Sequence, residues 1–271
     1  MAEKIEVTSG VPYGTGGSRE LLLDLYRPSD DRDWGRRSGW VFIHGGGWRN
    51  GSRDVFSRQA THLAQTLGAV CVSIDYRLSG EAPFPAALED AKCAVRWLRA
   101  NAETHGVDPE RIGVAGGSAG GHLAAMVGTT WKRSDFEGTG GHPDVSSHVS
   151  GMVLFNPVLD MAYTARHGNA QKAINAFLEA DVDQAAERYA EASPITHATA
   201  DTPPCLILHG TADATVPYEQ SVIFQTKLQR LGVRAELFAA EGATHGFFQR
   251  DDWFDKTLQR MTSYIASLWS E

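Results

Sequence analysis

Short, almost uniformly apolar runs that alternate with amphipathic helical stretches constrain this chain more than any other feature. The runs cover residues 40–43, 69–74, 111–115, Gly151–Phe155, 205–208 and 235–238, after an N-terminal strand or two at 21–26. Runs this short and apolar suit strands buried on both faces. Between them, Leu88, Ala91, Val95 and Leu98 share one helical face, as do Phe254, Leu258, Met261, Ile265 and Leu268. Gly68, Gly106 and Gly232 stand where a left-handed residue would close a helix. The alternation implies crossover connections and a mostly parallel sheet with helices on both faces. With 271 residues, 42% of them hydrophobic, and no repeat or linker, one α/β domain over 1–271 is expected. From 161 to 204 the strands lapse into short helical patterns, such as 183–190. That stretch reads as a small cap over the carboxyl edge of the sheet, with an ordinary surface excursion as the alternative.

The formal net charge is −8, from 25 basic and 33 acidic residues, and no Lys/Arg cluster stands out. Nucleic acid and anionic membrane are therefore not expected partners. No apolar run is long enough to cross a bilayer, and Met1-Ala-Glu-Lys-Ile-Glu has no signal-type apolar core, so the expectation is cytoplasmic unless a leader has been removed. The three cysteines, Cys71, Cys93 and Cys205, are too few for a disulfide framework and are expected as buried free thiols. No metal-ligand cluster or nucleotide motif is found, so neither metal nor cofactor is expected.

The chemistry-bearing segment is Gly116-Gly117-Ser118-Ala119-Gly120, which fits G-x-S-x-G with a strand before it and a helix after it. Small flanking residues allow a sharp turn that presents the Ser118 hydroxyl above the sheet. The Ala119 N–H, at the helix start, then faces any negative charge forming beside the serine. A second segment, His44-Gly45-Gly46-Gly47-Trp48, follows an earlier strand, and its glycines let backbone N–H groups approach a bound atom. Gly46, Gly47 and Ala119 are the expected oxyanion hole, with His44 bracing the loop. Serine needs an oriented base. Asp213 follows the 205–208 strand, and His245 lies in a Gly-bracketed loop after the last one. The order Ser, Asp, His is the α/β-hydrolase order. His122, His209 and His105 compete for the base without that loop position; Asp160 and Glu241 compete for the acid.

The segments His-Gly-Gly-Gly-Trp, Gly-Gly-Ser-Ala-Gly-Gly-His-Leu, His-Gly-Thr-Ala-Asp-x-x-Val-Pro and Gly-Ala-Thr-His-Gly-Phe resemble α/β-hydrolase esterases. The chain is similar to the bacterial feruloyl/acetyl-xylan esterase-like group, with hormone-sensitive-lipase-like esterases and kynurenine formamidases as neighbours. The resemblance runs from about Leu21 to the end. It implies a central, mostly parallel eight-stranded sheet with the triad at its carboxyl edge. Asp75-Tyr76-Arg77-Leu78 and Phe84-Pro85-Ala86 also resemble these enzymes and are taken as structural. Gly117 stands where the resemblance to the lipase-like branch would place Asp, and that branch's long N-terminal cap is not expected here. The expected function is a cofactor-free serine carboxylesterase acting on small short-acyl esters, with Trp48, Val158, Val216 and Phe247 as pocket walls. An arylformamidase or small peptidase would use the same triad, and a non-catalytic ligand-binding protein of this fold would keep its shape without turnover. Oligomeric state is not legible in the sequence.

Overall fold

The alternation of strand-like and helix-like stretches corresponds to eight strands and ten α-helices in a computed structural model that describes residues 5–29 and 34–269. The strands are β1 (Ile5–Gly16), β2 (Arg19–Pro28), β3 (Arg37–Ile43), β4 (Val70–Ile74), β5 (Val107–Gly117), β6 (Gly151–Phe155), β7 (Cys205–Gly210) and β8 (Ala235–Ala240). They form one sheet in the order β1-β2-β4-β3-β5-β6-β7-β8. Strands β3 to β8 are mutually parallel, and β2 is antiparallel to both its neighbours, β1 and β4. Strand β1 left no apolar run in the sequence because it is a mostly exposed edge strand, with register shifts at Thr8/Val11 and Pro12/Gly14. Proline and bulges are tolerated at such edges.

The helices are α1 (Ser57–Leu67), α2 (Ala86–Ala100), α3 (Ala102–His105), α4 (Ala119–Thr129), α5 (Met161–His167), α6 (Gln171–Leu178), α7 (Ala186–Glu191), α8 (Pro194–His197), α9 (Glu219–Arg230) and α10 (Asp251–Ser267). Successive strand residues divide between two apolar layers, the period-two consequence of the pleat. Val41, Ile43, Val72, Val114, Leu154 and Ile207 join the cluster built with α2, α4 and α9. Trp40, Phe42, Ala115, Val153, Phe155 and Leu208 join the cluster built with α1 and α10. Each large side chain so buried contributes roughly 1.5–3 kcal/mol relative to exposure. Gly68 and Gly106 close α1 and α3 at φ 64° and 67°, and Gly232 follows α9 at φ 79°. Cys71, Cys93 and Cys205 are buried and free.

Helices α5 to α8 form the insertion between β6 and β7. Tyr189 donates its hydroxyl to Asn175 Oδ1 at 2.5 Å, Met161 N donates to Ser193 Oγ at 2.9 Å, and Arg188 Nη2 donates to Phe84 O at 2.5 Å. Among the described residues, no helix is long and apolar enough to cross a membrane.

Candidate active site

Ser118 stands between β5 and α4 with φ 55° and ψ −119°, a left-handed region that non-glycine residues rarely adopt. Its N–H is held by Phe155 O at 2.9 Å, so β6 supports the turn. Small neighbours are a steric requirement: a Cβ on Gly120 would stand 2.1 Å from Ile43 O. Ala119 is buried in the first turn of α4, where helix amides have no internal partner.

The three residues expected to form a triad are in line. His245 Nε2 lies 2.9 Å from Ser118 Oγ, and His245 Nδ1 lies 2.7 Å from Asp213 Oδ2. An ionised Asp213 can only accept, so Nδ1 carries the proton and Nε2 is free to accept from the serine hydroxyl. Asp213 Oδ1 accepts the N–H groups of Thr215 and Val216, both at 2.9 Å. Burial works to raise the Asp213 pKa, but His209, His245 and the Val216 N–H more than offset it, and the carboxyl is held well below the usual carboxylate range. The His209 contribution was not legible in the sequence: its Nε2 is 3.4 Å from Asp213 Oδ2 while also lying 2.9 Å from Val216 O. Because Val216 O only accepts, Nε2 carries the His209 proton, and Nδ1 pairs with Ser221 Oγ at 2.6 Å.

The competing groups have other employment. Asp160 Oδ1 accepts from Tyr163 N at 2.9 Å and caps α5. Glu241 is exposed, and His105 ends α3 beside Trp97. His122 is fully buried: Trp48 Nε1 donates to its Nδ1 at 3.2 Å, and its Nε2 donates to Ala192 O at 2.8 Å. Burial pulls its pKa down to about 4, so the ring is neutral near pH 7.

The glycine loop lies against the elbow so closely that a Cβ on Gly45 would come within 2.8 Å of Gly117 O. Gly46 requires its missing side chain, since at φ 111° a Cβ would stand 2.1 Å from Asn50 O. Its carbonyl accepts from Arg49 N and Asn50 N at 3.1 and 3.2 Å, closing the loop on itself. His44 braces this loop, donating from Nδ1 to Gly45 O at 2.7 Å and stacking on Tyr76 at 4.3 Å. Asp75 pairs with Arg53 and accepts from the Arg53 N–H at 3.0 Å, and Arg77 pairs with Asp90 at 2.7 Å; both motif residues are structural.

Ser118 and His245 open onto a cavity of about 520 Å³, which Gly46, Gly47, Trp48, Val158 and Val216 also line. That volume is within the roughly 300–1,000 Å³ of small-molecule sites. Phe247 is not one of its walls. The residue opens a 3₁₀ turn, Phe247–Gln249, whose successive side chains diverge; Phe247 turns into the core against Trp253, and Phe248 lines the cavity. Phe248 stacks on Phe155 at 4.6 Å, and its Cζ is 2.6 Å from where a Gly117 Cβ would be. The phenyl ring thus occupies the space that a side chain at position 117 would need. Asn156, which the sequence reading missed, also borders the cavity, at φ 34° and with both buried carboxamide atoms lacking a partner in the protein. Its signal was its place directly after a parallel strand, where ligands of such sheets bind. Among the described residues no group of three or more His, Cys, Asp or Glu could hold a metal ion.

Known proteins resemble this chain in sequence and in fold. The BD-FAE family profile matches residues 23–228. Esterase LipQ of Mycobacterium tuberculosis is 33% identical over 249 residues, covering 89% of this chain and 57% of LipQ. The chain spans little more than half the length of the curated relatives it matches first, 57%, 58% and 53%. A truncated carbohydrate esterase from gut microbiota superposes with a TM-score of 0.85 at 26% identity, covering 98% of this chain and 97% of that one. The propionate-bound esterase Est2 of Thermogutta terrifontis superposes at 0.82 with 34% identity, covering 99% and 95%. Together with the eight-stranded sheet, these matches make the fold that of the α/β-hydrolases, and the chain belongs to the BD-FAE family.

Proposed function

We propose that this chain is a serine carboxylesterase acting on short-acyl esters of small alcohols, acetylated sugars among them. The observation that carries the reading is the line Asp213–His245–Ser118, at 2.7 and 2.9 Å, opening onto a cavity beside the Gly46–Gly47 loop. In this reading Ser118 Oγ attacks the ester carbonyl carbon while His245 Nε2 takes its proton. Gly46, Gly47 and Ala119 N–H groups bind the oxyanion, and the imidazolium, stabilised by Asp213, passes its proton to the departing alcohol. Water then attacks the acyl-serine by the same route, with His245 again as base.

The short-acyl preference is supported by what the insertion lacks. The expected cap carries Arg166, Asp181, Asp183 and Arg188, and Arg166 pairs with Asp183 at 3.1 Å on the surface. No long apolar lid is there to desolvate a fatty chain. A hydroxylated alcohol suits the polar side chains Asn50, Asn156, Asn169 and Thr215 around the cavity, and relatives named as a carbohydrate esterase and a propionate-bound esterase support both halves of the reading. kcat/KM for p-nitrophenyl acetate, butyrate and laurate, acetylated xylo-oligosaccharides and N-formylkynurenine, measured on one preparation, tests it. Acetate or butyrate should lead. A maximum at laurate overturns the short-acyl reading, and N-formylkynurenine about tenfold above acetate would make the protein a formamidase.

A further inference from the structure

We propose that Trp48 is the chain-length gauge of the acyl subsite and that His122 is the positioning residue holding its ring in place; the proposal rests on the esterase reading above. The direction of the acyl group follows from the proton transfers. The leaving alcohol must take its proton from His245 Nε2, so the alcohol lies on the His245 side of Ser118. The carbonyl oxygen goes to the Gly46–Gly47 amides, which leaves the acyl chain the wall opposite His245. Sheet order identifies that wall. Asp213 and His245 follow β7 and β8 on one side of β5, whereas Trp48 follows β3 on the other. Trp48 also belongs to the apolar layer of α2 and α4, whereas Phe248, close after His245, belongs to the layer of α1 and α10. The acyl chain therefore runs toward Trp48 and Ala173, both walls of the cavity.

The indole is fenced on several sides. It stacks on Phe177 with centroids 4.6 Å apart and planes at 11°, and it meets the His122 ring edge-on at 5.2 Å. Its Nε1–H donates to His122 Nδ1 at 3.2 Å, and His122 can accept there because its own proton sits on Nε2, held by Ala192 O at 2.8 Å. The Trp48 backbone is at φ 57°, uncommon for an aromatic residue, and its carbonyl accepts from Ser79 N at 2.7 Å. A ring held by stacking, by a hydrogen bond of fixed tautomer and by its own backbone cannot swing aside for extra methylenes. Its position therefore sets where the acyl subsite ends.

Glycine accepts φ 57° without strain, so Trp48→Gly removes the ring while leaving the loop conformation available. The experiment measures kcat/KM for p-nitrophenyl acetate, butyrate, hexanoate and octanoate on the parent, Trp48→Gly, Trp48→Leu, His122→Leu and His122→Gln. The octanoate-to-acetate ratio should rise about tenfold in Trp48→Gly and by less in Trp48→Leu and His122→Leu. His122→Gln, whose amide can accept from Nε1–H and donate to Ala192 O, should keep the parental ratio. A merely structural tryptophan would lower all four esters by one factor; an unmoved ratio in both Trp48 variants overturns the gauge. Equal ratios in His122→Leu and His122→Gln overturn the positioning role. Alkyl fluorophosphonates of graded length, read as adduct mass on Ser118, give the same ranking for a variant too slow to assay. A parent inert to every ester and unlabelled overturns the esterase reading and the gauge with it, whereas an active parent with unmoved variants overturns the gauge alone.

Discussion

The carboxyl edge of the sheet and the insertion between β6 and β7 hold their side chains by different means. At the edge, backbone groups do the holding: Phe155 O fixes the Ser118 N–H, and the Thr215 and Val216 N–H groups fix Asp213. In the insertion, α5 to α8 are short helices that would not persist alone in water. Side-chain bonds from Tyr189 to Asn175, from Met161 N to Ser193 and from Arg188 to Phe84 O secure them, together with main-chain bonds from Phe84 N to Phe177 O and from Asn169 N to Ala214 O. Backbone-anchored loops on a parallel sheet hold reacting atoms to the tolerance that proton transfer demands. The short helices of the insertion, which contribute none of Ser118, Asp213 and His245, can vary without disturbing that geometry. The edge should therefore govern kcat, and the insertion, which stacks Phe177 on Trp48 and holds His122 through Ala192, should bear on which substrate fits and how stably the cavity is roofed.

The largest effect is expected at Ser118. Ser118→Ala should lower kcat by on the order of a millionfold with the thermal midpoint nearly unchanged; a folded variant retaining more than a few per cent of parental activity would mean that the edge does not carry the chemistry. Asp213→Asn comes next, with kcat down by roughly 10³ to 10⁴ and KM little altered, because His245 loses the acceptor that fixes its tautomer. Asp160→Asn, which keeps a capping side chain at the start of α5, should stay near parental kcat, and the reverse ranking would show that the wrong carboxylate is assigned here.

The link between the two regions is His122, on α4 yet bonded to Ala192 of the insertion. Burial lowers its folded-state pKa to about 4, against about 6.5 in an unfolded chain. Between those values the unfolded state binds more protons, so its contribution is complete above about pH 6.5 and is lost as pH falls toward 4, at a cost of about 3 kcal/mol. Urea unfolding at about pH 7 and about pH 4 should show that loss in the parent and a smaller one in His122→Gln. Equal losses would show that His122 does not couple stability to pH. The smallest effect is expected at the rim: Arg188→Ala should cost about 1 kcal/mol, since its bond to Phe84 O is partly solvent-screened, and should raise KM more than it lowers kcat. A kcat loss as large as that of Asp213→Asn would erase the distinction between edge and insertion.

The same contrast explains how much could be read from residues alone. Strands β3 to β8 and the positions of Ser118, Asp213 and His245 were legible because parallel strands are uniformly apolar and catalytic loops follow them in a fixed order. Strand β1 was not, since an exposed edge leaves no apolar run. The sequence suggests Phe247 as a pocket wall, but Phe248 lines the cavity, because only the 3₁₀ turn after Gly246 decides which ring turns inward. The contact of His209 with Asp213 and the bond between Trp48 and His122 join residues whose pairing depends on side-chain packing rather than spacing. Asn156 lay where a ligand-facing residue belongs, but nothing local marked its carboxamide as unpartnered.

In the esterase reading, Ser118 is a nucleophile activated by His245. Intact-mass analysis after incubation with a small fluorophosphonate measures this directly, because reaction requires both an activated serine and oxyanion donors. One adduct is expected, mapped to Ser118, absent in Ser118→Ala and formed far more slowly in His245→Ala. An unmodified parent, or an adduct that persists in Ser118→Ala, would show that Ser118 is not the activated nucleophile.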